Sequence, residues 1–130
     1  MMAHPEYRDE SRVVHMHTYL ERVAAILPSL TETEMEDGEP RTERVLYNLT
    51  LLGEAANNVS REYAAAHPNV DFKNMAGLRH RLVHDYANID LSVIWKILRE
   101  DFPMWSKTVA ELYNTLPPAP PLPDNLDEFR

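Results

Sequence analysis

Apolar residues recur every three or four positions through most of this chain, with polar residues between them. That is the pattern of helices that each bury one stripe. Val13, Met16, Leu20, Val23 and Leu27 form the first stripe and predict a helix over about Glu6–Leu27. Val45, Leu49, Leu52, Ala56 and Val59 form the second, on a helix that starts near Pro40 and fades by Ala66. Phe72, Met75, Arg79, Leu82 and Tyr86 share a third stripe, on a helix from Asp71 or Phe72. Leu91, Ile94, Trp95 and Leu98 open a fourth helix, and Phe102, Trp105, Val109, Leu112 and Leu116 continue the stripe in a fifth.

Breakers divide these segments. Pro28, the acidic stretch 31–39 and Gly38 predict a loop, and His67-Pro68-Asn69 a turn. Asn88 suits a left-handed helix stop, Asp90 an N-cap, and Pro103 forces a break near Asp101. The expectation is an all-α, up-and-down bundle of four to five helices over residues 1–116. Residues 117–130, with five prolines, read as an extended or disordered tail. Within the second helix, Gly53 costs about 1 kcal/mol relative to Ala, so the site implies close approach of another backbone, helped by Ala55 and Ala56.

Composition refines this picture in three ways. The absence of cysteine rules out disulfides and thiolate metal sites, and fits a reducing compartment. The N-terminus is charged from Glu6 onward and no apolar run is long enough to span a bilayer, so a cytoplasmic protein without membrane association is expected. The net charge of −8 argues against a broad nucleic-acid surface, which would be basic. Its distribution is uneven, however. Acidic side chains crowd 31–39, whereas Arg79 and Arg81 outnumber Asp85 in the 79–86 stretch. A local contact with phosphate, or with a basic partner, fits that distribution.

The candidate chemistry is concentrated in Gly77-Leu78-Arg79-His80-Arg81-Leu82-Val83-His84-Asp85-Tyr86. Arg79 lies on a largely apolar stripe, and a cation there needs a carboxylate or phosphate partner. Glu54, beside the tight spot at Gly53, is either a solvated helix carboxylate or that partner. His84 can take or give a proton near neutral pH, and a guanidinium offers a two-pronged grip on phosphate oxygens. Arg79 and His84 lie about 140° apart on a straight α-helix. Their convergence therefore requires the helix to end near His84, or a second copy to supply one partner.

Arg79, four residues, His84, one residue and Tyr86 match the R-x4-H-x-Y pattern of HepT-like proteins, ribonucleases of the HEPN superfamily. Leu52-Gly53-Glu54-Ala55-Ala56 resembles the family's "(I/L)GEA" segment, and Ile89-Asp90-Leu91-Ser92-Val93-Ile94-Trp95 its "vD…vW" continuation. The resemblance covers roughly residues 6–116. It implies a metal-independent, cofactor-free endoribonuclease that leaves 2′,3′-cyclic phosphate ends, with Arg79 as phosphate clamp and His84 as acid–base. It also implies a homodimer or higher even oligomer with one shared cleft, and a role as the toxin of a type VII-like toxin–antitoxin pair. The partner would be an MntA-type nucleotidyltransferase antitoxin that neutralises the toxin by adding AMP to Tyr86. The family commonly has a polar residue, often Asn, after the arginine; here His80 stands there, as a substitute donor, a second proton-transfer group or a change to the site. Arg81 is a candidate for additional phosphate binding.

Two other readings compete. His80 and His84, four apart with Asp85 near by, resemble half a metal site but lack a third convincing ligand. A non-catalytic HEPN dimerisation or nucleotide-binding module, partnering a nucleotidyltransferase, is the more serious alternative. The acidic net charge and the His80 departure favour it. Loss of activity in His84→Ala, as opposed to weakened binding alone, separates the two.

Overall fold

The first predicted stripe folds as α1, Pro5–Ile26, with Val13, Met16, Leu20 and Val23 buried. The computed structural model describes residues 5–84 and 88–118, apart from the side chains of residues 5–7 and 84. Pro28 ends α1 in a single 3-10 turn, Leu27–Ser29.

The expected loop at 31–39 contains a short helix, α2, Glu32–Glu36. Thr31 and Glu34 close a reciprocal capping box: Thr31 Oγ1 accepts from Glu34 N at 3.2 Å, and Glu34 Oε1 accepts from Thr31 N at 3.0 Å. Met35, fully buried, fastens this turn to the core. Acidity alone suggested a solvated loop, but the Thr-x-x-Glu spacing and one apolar residue favour a helix. Arg41 then draws the segment together, donating to Glu34 Oε2 at 2.6 Å and also to Glu39 Oε1 and the Ser29 carbonyl.

The second stripe folds as α3, Pro40–Asn57, but it does not run on to Ala66. The chain breaks at 58–60 and restarts as α4, Arg61–Ala66, with Ser60 as N-cap. The break is held from a distance. Asp9, only 5% exposed, accepts hydrogen bonds from Ser60 N at 2.7 Å and Ser60 Oγ at 2.6 Å, and Ser60 Oγ caps Tyr63 N at 3.1 Å.

The remaining elements are α5, Phe72–Arg79, a π-helical turn over His80–His84, α6, Leu91–Glu100, and α7, Phe102–Thr115. Asp90 caps α6 as expected, and Pro103 sits in the first turn of α7, where its missing N–H costs nothing. Among the described residues the fold is entirely helical, with five longer helices and two short ones. Central α3 packs against both α1 and α5, α7 packs on α1, and α2 bridges α3 to α6. Across α1 and α7 the His17 ring stacks on Tyr113, with centroids 4.0 Å apart. Among the described residues no helix is long and apolar enough to cross a membrane.

Candidate active site

Helix α5 is anchored at both ends, and this places Arg79. At its start Asp71 accepts from Asn74 N at 3.2 Å and from Trp105 Nε1 of α7 at 3.3 Å. Its buried face carries Phe72, Met75 and Leu78. Neither Asp71 nor Trp105 stood out in the sequence as a positioning residue, although an Asp directly before an apolar stripe is an N-cap signal.

At the other end α5 lies against Gly53 of α3. A Cβ on Gly53 would stand 2.7 Å from Arg79 N and 3.1 Å from the Met75 carbonyl oxygen, so only glycine allows the two backbones to lie this close. The close approach expected from a mid-helix glycine is made by the backbone that carries Arg79. The next residue of α3, Glu54, thereby reaches the guanidinium: Arg79 Nε donates to Glu54 Oε2 at 2.5 Å. Both side chains remain open to solvent, Arg79 at 38% and Glu54 at 50%. The ion pair is screened and adds little to stability. It orients the guanidinium through its Nε edge.

Beyond Arg79 the helix widens. The turn His80–His84 is π-helical, a geometry whose backbone hydrogen bonds join residues five apart. Arg79 and His84 are themselves five apart, so the widening reduces the angular offset expected of a straight α-helix. It offers a route to convergence besides the helix ending and the second copy. Leu82 anchors the turn in the core, while His80, Arg81 and Val83 are exposed. Arg81 faces the start of α6 and lines a small cleft with Asn88, Asp90 and Val93. The Asp90 carboxyl is held below the usual carboxylate range, first by the Ser92 hydroxyl at 2.5 Å and then by Ser92 N at 3.0 Å.

The structure thus brings Arg79 and Glu54 together and puts His80 and Arg81 on the turn that follows. The backbone of His84 belongs to the same turn. The His84 side chain, Asp85 and Tyr86 lie outside the described residues, as does the tail from residue 119. Among the described residues no group of three or more His, Asp or Glu side chains is arranged to hold a metal ion.

A family model described as Ribonuclease HepT-like matches residues 16–112, a span that includes α3, α5 and the π turn. Among curated proteins the chain is 40% identical over 65 residues to an archaeal protein provisionally named RNase MJ1380, from Methanocaldococcus jannaschii. That match covers 50% of this chain and 60% of the relative. It is 36% identical over 59 residues to a protein of Thermococcus cleftensis provisionally named ribonuclease HepT, covering 45% of this chain and 54% of that one. A third, provisionally named RNase TTE0752, from Caldanaerobacter subterraneus subsp. tengcongensis, is 31% identical over 71 residues, covering 55% of this chain and 63% of the relative. The chain therefore spans less than two-thirds of each of these relatives. No solved structure matches. With three-quarters of its length matched by the family model, and the glycine, glutamate and arginine of the two central motifs packed against each other, the chain belongs to the HepT-like family of the HEPN superfamily.

Proposed function

We propose that this protein is a metal-independent endoribonuclease that works from the π turn after α5. The observation that carries this reading is Arg79. It is a partly exposed guanidinium, oriented by Glu54 through Nε and five residues from a histidine across a widened turn. Provisional ribonuclease names among the relatives support the same activity.

In this reading the terminal nitrogens of Arg79 grip the scissile phosphate, since Nε is engaged by Glu54. His84 serves as the acid–base. The ribose 2′-oxygen gives up its proton and bonds to phosphorus. The bond from phosphorus to the 5′-oxygen breaks, and that oxygen takes up a proton. The products are a 2′,3′-cyclic phosphate and a 5′-hydroxyl. Arg79 stabilises the crowded phosphorane, where charge accumulates. Arg81 and His80 assist in holding the strand.

The protein acts, we further propose, as a cytoplasmic homodimer or higher even oligomer with two copies of the turn around one cleft. It is the toxin of a toxin–antitoxin pair, restrained by a nucleotidyltransferase that adds AMP to Tyr86. Phosphates added two residues from His84 would occupy the arginine clamp and repel RNA. The test is cleavage of a mixed RNA pool in EDTA by wild type and His84→Ala, with end-group analysis. Cleavage by wild type alone, leaving cyclic phosphate ends, is expected. Equal cleavage by His84→Ala would overturn the assignment of His84. An unmodified wild type that binds RNA without cutting it would favour the non-catalytic module. Tyr86→Phe should escape inhibition by the nucleotidyltransferase.

A further inference from the structure

Between α3 and the π turn that follows Arg79 lies a groove of ≈ 650 Å³. Its volume falls within the range of about 300–1,000 Å³ typical of small-molecule sites. Leu82, Val83 and Ile89 form one side, and Tyr47 stands on the other, 63% exposed. An aromatic ring this open is unusual on a helix whose other large apolar residues are buried or half-buried. Tyr47 and Glu54 are seven residues apart on α3, hence on one face and separated by two turns, about 10.5 Å along the axis.

The two other polar side chains in the wall are Glu43 and Thr50. Thr50 Oγ1 already donates its proton to the Leu46 carbonyl at 2.8 Å, so toward the groove it can only accept. The Glu43 carboxylate also accepts. A planar ring with donor groups on its edge suits an apolar slot with an open aromatic face and two acceptors. A nucleobase bearing an exocyclic amino group is such a ring, and single-stranded RNA is read by stacking on aromatic side chains and by hydrogen bonds to base edges.

We propose that this groove is a base subsite. Tyr47 stacks on the base of a nucleotide whose phosphate is held by Arg79, and Glu43 accepts from the amino edge, favouring cytosine or adenine over uracil. The proposal rests on the reading of Arg79 as a phosphate clamp. It does not require His84 to be catalytic.

The test is binding of cytidine 3′-monophosphate, uridine 3′-monophosphate and inorganic phosphate, by NMR titration, to wild type, Tyr47→Ala, Tyr47→Phe, Glu43→Leu and Arg79→Ala. Oligomeric state is measured by light scattering in parallel. Tyr47→Ala should weaken cytidine 3′-monophosphate about 5- to 150-fold and leave inorganic phosphate unchanged. Tyr47→Phe should bind like wild type. Glu43→Leu, which removes the acceptor, should erase the preference for cytidine over uridine. Arg79→Ala should weaken all three ligands, and if it weakens none the clamp reading fails separately. Unchanged nucleotide affinity in Tyr47→Ala would overturn the subsite. If Tyr47→Ala also dissociated the oligomer, the groove would belong to a second copy of the chain.

Discussion

Gly53 lies directly against the backbone of Arg79, so close that a Cβ on it would come within 2.7 Å of Arg79 N. This contact couples the packing of α3 on α5 to the chemistry of the turn, because Glu54 follows Gly53 and the π turn follows Arg79. A stability effect and a functional effect should therefore travel together at this position.

Gly53→Ala tests that coupling. In an exposed helix the change would gain about 1 kcal/mol of helix propensity. Here the new methyl meets backbone atoms, which cannot turn aside as a side chain can. Overpacking of this kind costs about 1–3 kcal/mol, so a net loss of stability is expected, with Arg79 displaced from Glu54. Urea unfolding and phosphate binding should both worsen. A variant more stable than wild type with phosphate affinity intact would show that the two helices are free to separate.

Glu54 should behave in the opposite way. Its ion pair with Arg79 is half open to solvent, so Glu54→Ala should change stability by less than about 1 kcal/mol. Losing the group that orients the guanidinium should nevertheless slow RNA cleavage on the order of ten- to a hundredfold. Glu54→Gln, which still presents an oxygen to Arg79 Nε, should recover part of that loss. Thermal melts alongside single-turnover cleavage rates separate the two effects. A cleavage defect matched by an equal loss of stability would make Glu54 merely structural.

The short α2 should be worth more than its length suggests. Met35 is fully buried, so Met35→Ala should cost about 2–5 kcal/mol, and Thr31→Ala, which removes half of the capping box, about 1 kcal/mol. Denaturant titration measures both. If Met35→Ala had no effect, α2 would not be part of the core.

Acid should loosen two helix starts together. Glu34 is held below the usual carboxylate range mainly by the Thr31 backbone and hydroxyl, and Asp90 by Ser92. A carboxyl whose folded pKa is depressed binds fewer protons folded than unfolded, so its contribution is fully present above the ordinary carboxylate range. That contribution is lost as pH falls through the depressed value. Urea midpoints measured from pH 6 down to pH 2 should therefore fall at the acid end. Asp90→Asn keeps a capping oxygen but cannot titrate, so it should make that fall shallower. An unaltered acid limb would mean that the cap of α6 contributes nothing to the pH dependence.

Much of the fold was legible in the chain. The spacing of Val13, Met16, Leu20 and Val23, and of Phe102, Trp105, Val109 and Leu112, marked faces that are indeed buried, because a helix can hide only the residues that return every three or four positions. Asp90 and Pro103 marked helix starts through local chemistry alone. The break at Ser60 was not legible, because the Asp9 carboxylate that fixes it lies 51 residues away. The helix at Glu32–Glu36 was masked by the acidity of 31–39, although the Thr31-x-x-Glu34 spacing and Met35 carry its signal.

The candidate site divides in the same way. By itself the sequence determined which groups are present: an arginine on an apolar stripe that needs a counter-charge, a histidine five residues on, and a glycine that demands a close neighbour. Tertiary structure decided which neighbour Gly53 has, which carboxylate orients Arg79, that the turn beyond it is π-helical, and that Tyr47 opens onto a groove walled by Leu82 and Val83 of that turn. Residue type and helical spacing act over a few positions, so they can be read along the chain. Contact between α3 and α5 depends on how two helices 25 residues apart, at Glu54 and Arg79, settle against each other, and only the folded core sets that distance.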